Sequence, residues 1–267
     1  MMRFALVNPP WTFEGSIYFG CRSPHLPLEF GYSKQLLEQA GHECQLFDGQ
    51  IDSLTQSEIV DQVSRFAPDF TVVTTAPSYL FWRCPPPEIR VPQELVRALK
   101  PLGGRQVIVG PHGSTTPRAV LKKIDADYVV LGECEEVLGE LGSGASRVSS
   151  IAFREGDEIV VTGPNRASDM KRLPALRWPR ETIERHEHHH HRFDAEPLGP
   201  GAEMEASRGC PYHCTFCAKD NFRNNYRKRP LEVILSELDG LLDQGVEYVY
   251  FIDEIFLPDS PLLAALA

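Results

Sequence analysis

Short apolar runs alternate with amphipathic stretches along the first half of the chain. The runs are rich in β-branched and aromatic residues, which indicates buried strands, whereas apolar residues at every third or fourth position indicate helices. Glycine and proline close most of these segments. The predicted strands are Phe4–Asn8, Glu43–Asp48, Phe70–Thr75, Gln106–Val109 and Asp127–Leu131. The predicted helices are Tyr32–Ala40, Ser57–Phe66, Pro87–Leu99, Pro117–Ile124 and one that begins at Glu135.

This alternation predicts an α/β fold with an N-terminal doubly wound, Rossmann-like parallel sheet over residues 1–145. Ligands of such sheets bind beyond the carboxyl ends of the strands, and glycine there lets a ligand approach the backbone. Ordinary βα turns are the alternative interpretation, since turn residues follow strands in every such fold. The candidate ligand-binding residues at these ends are Asn8, Ser78, Gly110, His112, Gly113, Gly132 and Glu133.

Residues 146–200 are interpreted as a hairpin and a linker. Val148–Phe153 and Glu158–Thr162 flank a turn that contains glycine, and a proline-rich stretch over 165–179 follows. A dense histidine run comes next, at His186, His188, His189, His190 and His191. Three interpretations of this run are a metal site, a solvated and loose segment, and an engineered tag. A tag is disfavoured because the run is internal. Its position ahead of the last domain would let it line the cleft between the domains.

A cysteine motif opens the third part, residues 201–267. The strand Ala202–Ser207 leads into Cys210, Cys214 and Cys217, with the spacing Cys-x3-Cys-x2-Cys. Three thiolates can hold three irons of a [4Fe–4S] cluster and leave the fourth iron open to another ligand. The alternative is a zinc site whose fourth ligand is His213.

A helix and a strand follow the cysteines. A basic loop over 218–229 precedes Pro230, leucines and isoleucine then recur at helical spacing to Leu242, and Glu247–Ile252 reads as a strand. This βαβ unit would begin a (β/α) barrel, whose active sites lie at the carboxyl ends of strands. Asp253 and Glu254 stand at that end and are candidate cofactor-binding residues; the alternative is that they cap the next helix.

Composition narrows the class of protein. The 27 basic residues against 37 acidic ones give a net charge of −10, which argues against wholesale binding to nucleic acid or anionic membranes. No apolar run is long enough to span a membrane, and the N-terminus does not have the pattern of a signal peptide. The seven cysteines are an odd number with three clustered, which in a reducing cytoplasm favours a metal site over disulfides.

An ordered set of motifs resembles the cobalamin (B12)-binding domain that precedes many radical S-adenosylmethionine (SAM) domains. The set is Asn-Pro-Pro at 8–10, Gly-His-Glu-Cys-Gln-Leu-Phe-Asp at 41–48, Gly-Pro-His-Gly at 110–113 and Asp-Tyr-Val-Val-Leu-Gly-Glu-Cys-Glu at 127–135. The cysteine spacing, with Phe216 directly before the third cysteine, resembles the radical SAM superfamily. The first βα loop lacks the Asp-x-His-x-x-Gly of better-known cobalamin proteins, which argues against a histidine as the lower cobalt ligand. His25 and His112 are the histidines positioned to substitute, and a backbone-bonding turn residue is the favoured interpretation of His112.

The resemblance implies three cofactors and their places. Cobalamin would lie across the strand ends of the first domain, and SAM would chelate the open iron of the cluster. The backbone of Phe216 would meet the SAM adenine, and Asp253, in preference to Glu254, would bind the SAM amino group.

The implied function is that of a cobalamin-dependent radical SAM enzyme, which cleaves SAM reductively to a 5′-deoxyadenosyl radical. Methyl transfer to an unactivated carbon is the favoured outcome, with oxidation or ring formation as others. The implied partners are a small-molecule or biosynthetic-intermediate substrate and an electron donor such as flavodoxin or ferredoxin. The chain stops at Ala267 with only the start of the barrel, so it looks truncated. A non-catalytic iron–sulfur or cobalamin-binding fragment and a zinc-binding regulatory protein remain as alternatives.

Overall fold

The first part of the chain is built around a parallel sheet in this computed structural model. Its parallel strands are β1 Arg3–Asn8, β2 Glu43–Asp48, β3 Phe70–Thr74, β4 Arg105–Val109 and β5 Tyr128–Val130. They stand in the order β2-β1-β3-β4-β5. The structure describes residues 1–12, 23–78, 89–190, 196, 198–215, 223, 225–256 and 260–266.

Helices cover both faces of this sheet, which confirms the doubly wound prediction. Successive strand residues point to opposite faces, so Phe4 and Leu6 join one core while Ala5 and Val7 join the other. The first core is covered by α1 Leu28–Gln39 and α6 Val137–Glu140. The second core is covered by α2 Gln56–Phe66, α3 Arg90–Leu99 and α5 Pro117–Lys123, and the short helix α4 Pro111–Thr115 precedes α5. Each fully buried aliphatic or aromatic side chain contributes about 1.5–3 kcal/mol to the two cores.

Helix α1 begins at Leu28, four positions earlier than the predicted Tyr32. Gly31 concealed this first turn from the sequence, because glycine disfavours helix interiors. The fold explains the glycine: a Cβ at Gly31 would lie 2.7 Å from the ring of Trp178. The linker therefore packs directly on the first turn of α1.

The predicted hairpin forms and extends the sheet. Its strands β6 Ile151–Glu155 and β7 Glu158–Val161 are antiparallel, and β6 pairs antiparallel with β5. Gly156, at φ +60°, supplies the left-handed residue that the tight turn needs. The linker then runs past the end of β5 and contains the short helix α7 Arg180–Arg185.

The last part contains the predicted βαβ unit. Strand β8 Gly201–Met204 pairs parallel with β11 Tyr248–Phe251, and α8 Leu231–Leu242 connects them. Two short strands, β9 Ser207–Arg208 and β10 Arg227–Lys228, pair antiparallel, and α9 Ser260–Leu266 follows β11.

The single strand predicted over 202–207 is divided at Glu205 and Ala206. The reason is tertiary, because the Ala206 amide donates to Asp253 Oδ1 at 2.9 Å. Among the helices that the structure describes, none is long and apolar enough to cross a membrane.

Candidate functional site

The carboxyl ends of β1 and β3 form the switch point of the sheet, where doubly wound folds of this strand order bind ligands. Asn8 ends β1 beside Asp48, and its Nδ2 donates to both carboxylate oxygens of Asp48 at 3.0 Å. Trp11 Nε1 donates to Asn8 Oδ1 at 2.8 Å. Burial raises the pKa of Asp48 to about 6, despite hydrogen bonds that lower it. Asn8 therefore fixes the start of the loop after β1.

A small cavity opens at the same switch point. It has a volume of about 10 Å³, roughly the space of one water molecule, and is lined by Asn8, Pro27, Glu29, Phe30, Thr74, Ala76 and Ser78. Ser78 Oγ lies 3.0 Å from the Leu26 carbonyl oxygen and 2.8 Å from Glu29 Oε2, both of which can accept its proton. Burial raises the pKa of Glu29 to about 7. Glu29 was not recognisable as a site residue in the sequence, because it lies ahead of the predicted start of the helix.

The glycine-rich end of β4 lies next to the end of β5. Gly110 has a φ of +112° and precedes α4, and Ser114 Oγ accepts from the Gly132 amide at 2.9 Å. A Cβ at Gly113 would lie 2.5 Å from Val129 Cγ1. His112 lines a different cavity, which lies between α3 and α5. Its side chain is therefore separate from the cavity that Ser78 lines.

Gly132 makes close contact with the linker. Its φ is +85°, and a Cβ there would lie 2.1 Å from the Arg166 carbonyl oxygen. The Glu133 amide donates to that same oxygen at 2.8 Å. The space beside Gly132 is therefore occupied by the chain itself.

Glu133 is the centre of a buried charge network. Its carboxylate accepts from Arg223 Nε at 2.9 Å and from Arg227 at 2.7 and 3.0 Å, and Arg208 lies 3.4 Å away. Burial by itself would raise the pKa of Glu133, but the guanidinium groups, Arg208 first, hold it well below its usual range. Glu133, which lies just beyond the end of β5, is thus joined by ion pairs to the segment that carries the cysteines.

Arg208, which directly precedes the cysteine loop, is held in place by two acidic side chains. Its Nε donates to both oxygens of Glu205 at 2.9 Å, and its Nη1 donates to Glu135 at 2.5 Å. Its guanidinium also stands 5.5 Å from the ring centroid of Tyr32 on α1. Arg208 therefore contacts both the last part of the chain and the first.

The cysteine loop leaves this anchor through Gly209, at φ +82°. A Cβ at Gly209 would lie 2.2 Å from the Asn225 carbonyl oxygen. The Cys210 amide donates to the Arg223 carbonyl oxygen at 3.0 Å. Cys210 is half-buried and Cys214 is exposed, and both thiols are free. Cys217 and Phe216 lie outside the described residues.

The two acidic candidates after β11 face the same loop. Glu254 accepts from the Gly209 amide at 2.9 Å and forms an ion pair with Arg223. Asp253 accepts from the Ala206 amide and from the Ser207 hydroxyl, and burial raises its pKa to about 7. Both carboxylates thus lie next to the start of the cysteine loop.

The donor set fits an iron–sulfur cluster. Burial raises the pKa of the Cys44 thiol to about 12 and raises that of Cys134 as well, and such thiols are inert because the thiolate is the metal ligand. Cys210 and Cys214, by contrast, are accessible on a loop that is fixed at its start. His213 is exposed beside Cys214, so the zinc alternative stays open.

Comparisons with known proteins identify the first domain. Residues 21–142 match the family model of the B12 binding domain. The match covers somewhat less than half of the chain and most of the predicted first domain. The whole chain is similar to an uncharacterized methyltransferase, PH0819, of Pyrococcus horikoshii, at 23% identity over 96% of this chain and 54% of that protein. It is also similar to the anaerobic magnesium-protoporphyrin IX monomethyl ester cyclase of Cereibacter sphaeroides, at 26% identity over 95% of this chain and 41% of that protein.

A solved structure extends the likeness to the whole fold. The cobalamin-dependent S-adenosylmethionine radical enzyme OxsB, with aqua-cobalamin and S-adenosylmethionine bound, matches with a TM-score of 0.75 at 19% identity. The match covers 98% of this chain and 35% of that chain. This chain therefore shares the fold of about a third of that protein, and it spans about half the length of the curated relatives it matches.

Arg208 and Glu205 are site residues that the sequence did not reveal, and Arg223 was visible there only as one member of the basic loop over 218–229. Each of the three is charged and stands close to the cysteine motif in the sequence. That position is equally compatible with a place in a solvated loop. A signal existed for Arg208, which directly precedes the glycine of the loop. The burial of all three residues became visible only in the folded chain.

Proposed function

We propose that this chain holds cobalamin, a [4Fe–4S] cluster and SAM as the cofactor-binding part of a cobalamin-dependent radical SAM enzyme. The observation that carries the proposal is the chain of ion pairs from Glu133 through Arg223 to Glu254. It fastens the strand end of the B12-binding domain to the start of the cysteine loop. The proposed division is a cobalamin-binding domain at 1–145, a hairpin and linker at 146–200, and the start of the radical SAM domain at 201–267.

Each group of residues has a proposed role. Cys210, Cys214 and Cys217 hold the cluster. Glu254 and Asp253 take the SAM amino group, with the Phe216 backbone at the adenine. The residues proposed to face cobalamin at the strand ends are Asn8, Ser78, Gly110 and Gly113. His112, Gly132 and Glu133 stand at the same strand ends, but their side chains or neighbouring space are engaged by the chain itself, so they are proposed to shape that surface rather than to contact the ligand.

Glu254 is preferred over Asp253 on the geometry, which reverses the weak preference that the sequence alone gave. It bonds the amide next to Cys210, whereas the hydrogen bonds of Asp253 go to Ala206 and Ser207. When bound, the cluster supplies the electron that cleaves SAM to a 5′-deoxyadenosyl radical, and cobalamin supplies a methyl group for a substrate carbon. The similarity to a methyltransferase supports methyl transfer, and the similarity to a cyclase supports ring formation as the second candidate.

The partners belong to the same proposal. A small-molecule substrate and an electron donor of the flavodoxin or ferredoxin kind complete the reaction. A cytoplasmic location suits the free thiols, because reducing compartments keep them available for iron.

The test is anaerobic reconstitution of this chain with iron, sulfide and hydroxocobalamin, followed by reduction in the presence of SAM. We expect about four irons per chain, bound cobalamin, and 5′-deoxyadenosine detected by chromatography. The matched variants are Cys214→Ala, which should abolish the cluster, and Cys44→Ala, which should retain it.

Absence of a cluster in the unmodified chain would overturn the proposal. Zinc bound in its place, and lost in both Cys214→Ala and His213→Ala, would establish the regulatory zinc alternative. Bound cluster and cobalamin without 5′-deoxyadenosine would identify a binding fragment whose chemistry needs further chain.

A further inference from the structure

A second group of potential metal ligands lies outside the cofactor site. His25 comes from the segment before α1, His188 from the 3₁₀ turn Glu187–His189 of the linker, and Glu203 from β8. Their exposed fractions are 6%, 0% and 1%. Three segments that are far apart in the sequence therefore bring two imidazoles and a carboxylate together in the interior.

The three side chains are close enough to share one ion. One ligand atom from each lies within 4.8 Å of the other two. His188 Nε2 is 3.5 Å from Glu203 Oε1, and His25 Nδ1 contacts the same oxygen directly. In a tetrahedral zinc site with ligand bonds of about 2.0–2.2 Å, neighbouring ligand atoms are roughly 3.3–3.6 Å apart. Small shifts of the rings would therefore bring all three to bonding distance of a common ion.

Surrounding groups hold two of these side chains in place. The Leu26 amide donates to Glu203 Oε2 at 2.8 Å, which leaves Oε1 to the histidines. The Tyr250 ring stacks on the His188 ring at 4.2 Å and 19°, and the Tyr248 hydroxyl donates to the His188 carbonyl oxygen. Such outer contacts orient ligands in established metal sites.

A fourth donor is available in the same segment. His186 is 1% exposed, and its Nδ1 is 2.5 Å from the Ile183 carbonyl oxygen. A carbonyl oxygen can only accept, so Nδ1 carries the proton and Nε2 keeps its lone pair. Within the described part of the chain, that Nε2 is buried without a hydrogen-bond partner.

We propose that His25, His188 and Glu203 bind a divalent transition-metal ion, zinc in the first place. His186 lies outside this close group, and its side chain would have to shift to take the fourth position. A set of neutral imidazoles with one carboxylate is a normal zinc donor set. Since the ligands come from the segment before α1, the linker and β8, the ion would fasten the linker to both parts of the molecule. Its role is structural, because the ligands are buried.

The experiment uses the full chain with Cys210, Cys214 and Cys217 changed to alanine, so that the cysteine loop binds no metal. The protein is stripped with a chelator, loaded with Zn²⁺ alone and analysed by mass spectrometry for metal content. We expect about one zinc per chain and a higher melting temperature than in the stripped protein. Loading with Co²⁺ should give the intense visible absorption of a four-coordinate ion.

The variants His188→Gln and Glu203→Gln test the ligands. Each should weaken zinc binding on the order of 100-fold or more, because even the loss of an outer contact costs 10–100-fold. The matched control is His189→Ala with His190→Ala, which removes neighbouring histidines of the same run from less buried positions. The control should keep its zinc.

Two results would overturn the inference. One is zinc that is lost in the control but kept in His188→Gln, which means adventitious binding by the outer histidines. The other is stripped protein that takes up no zinc and gives no four-coordinate cobalt spectrum. This second result needs no variant, so misfolding of a variant cannot obscure it.

Discussion

Gly209 and Gly245 share a backbone conformation but differ in their surroundings. Their φ values are +82° and +81°. A Cβ at Gly209 would strike the Asn225 carbonyl oxygen, whereas a Cβ at Gly245 would meet nothing within 4 Å. Alanine substitutions at the two positions therefore separate two contributions to the free energy of unfolding. One is the penalty for a left-handed backbone, and the other is the penalty for a steric collision beside the cysteine loop.

We expect Gly245→Ala to lower the free energy of unfolding by about 1 kcal/mol, the usual penalty for a left-handed non-glycine residue. Gly209→Ala should cost more and should also displace Cys210, so reconstitution should yield clearly less iron per chain. Urea unfolding and iron analysis measure the two effects. Equal iron content in both variants would show that the Gly209 turn does not position the cluster ligands.

Glu29 at the switch-point cavity gives a pH-dependent stability. Its pKa is about 7 in the folded protein, raised by burial from the ordinary value of 4.5. The folded state therefore disfavours the charged carboxylate, and stability falls as the pH rises from about 4.5 through 7.

In Glu29→Gln this penalty is absent, and the amide still accepts from Ser78. We expect the variant to be more stable than the unmodified chain at pH 8, by on the order of 3 kcal/mol, and the advantage to vanish near pH 4.5. Urea unfolding at the two pH values measures it. An advantage that does not change with pH would contradict the buried, protonated Glu29.

Glu237 connects helix α8 to the linker and also forms a buried ion pair within the last part of the chain. Glu237 on α8 accepts from Arg229 at 2.6 Å and from the Leu176 amide at 2.8 Å. Arg229 and Glu237 are both nearly inaccessible. Removing one member of a buried pair is costly because the other charge loses its compensation.

Glu237→Ala should therefore destabilise the protein by about 3 kcal/mol. Glu232→Ala, at an exposed position on the same helix, should cost less than about 1 kcal/mol. Denaturant midpoints at constant m-value provide the measurement. Similar midpoints for the two variants would mean that Glu237 does not hold α8 to the linker.

The charge network around Glu133 joins the first part of the molecule to the last part. This carboxylate, from the end of the B12-binding sheet, lies among Arg208, Arg223 and Arg227 of the last part. A buried pair gives specific geometry rather than large net stability. The network thus fixes how the strand ends stand relative to the cysteine loop.

We expect Glu133→Gln to destabilise the protein by about 3 kcal/mol and to split a single calorimetric transition into two, because the guanidinium groups lose their compensation. Glu140→Gln is the control, since its partner Arg166 forms an accessible ion pair worth at most about 1 kcal/mol. A single transition at an unchanged temperature in Glu133→Gln would show that other contacts join the two parts.

The sequence by itself determined the local elements and the cysteine motif. Strands and helices were predictable because the periods of 2 and 3.6 residues are local properties of the backbone. The cysteine triad was recognisable because its three ligands lie within one short loop. The errors at α1 and β8 arose where distant residues, Trp178 and Asp253, alter the local structure.

Only the tertiary structure decided which charged residues are buried and which partners they have. Glu133 and Arg223 are 90 positions apart, and His25 and Glu203 are 178 apart. In the sequence each of these residues is compatible with a solvated surface, which is the usual place for a charge. Glu133 and Arg223 pair because the end of β5 meets the segment around the cysteine loop in space, and His25 and Glu203 pair because the segment before α1 meets β8. No local pattern encodes either meeting.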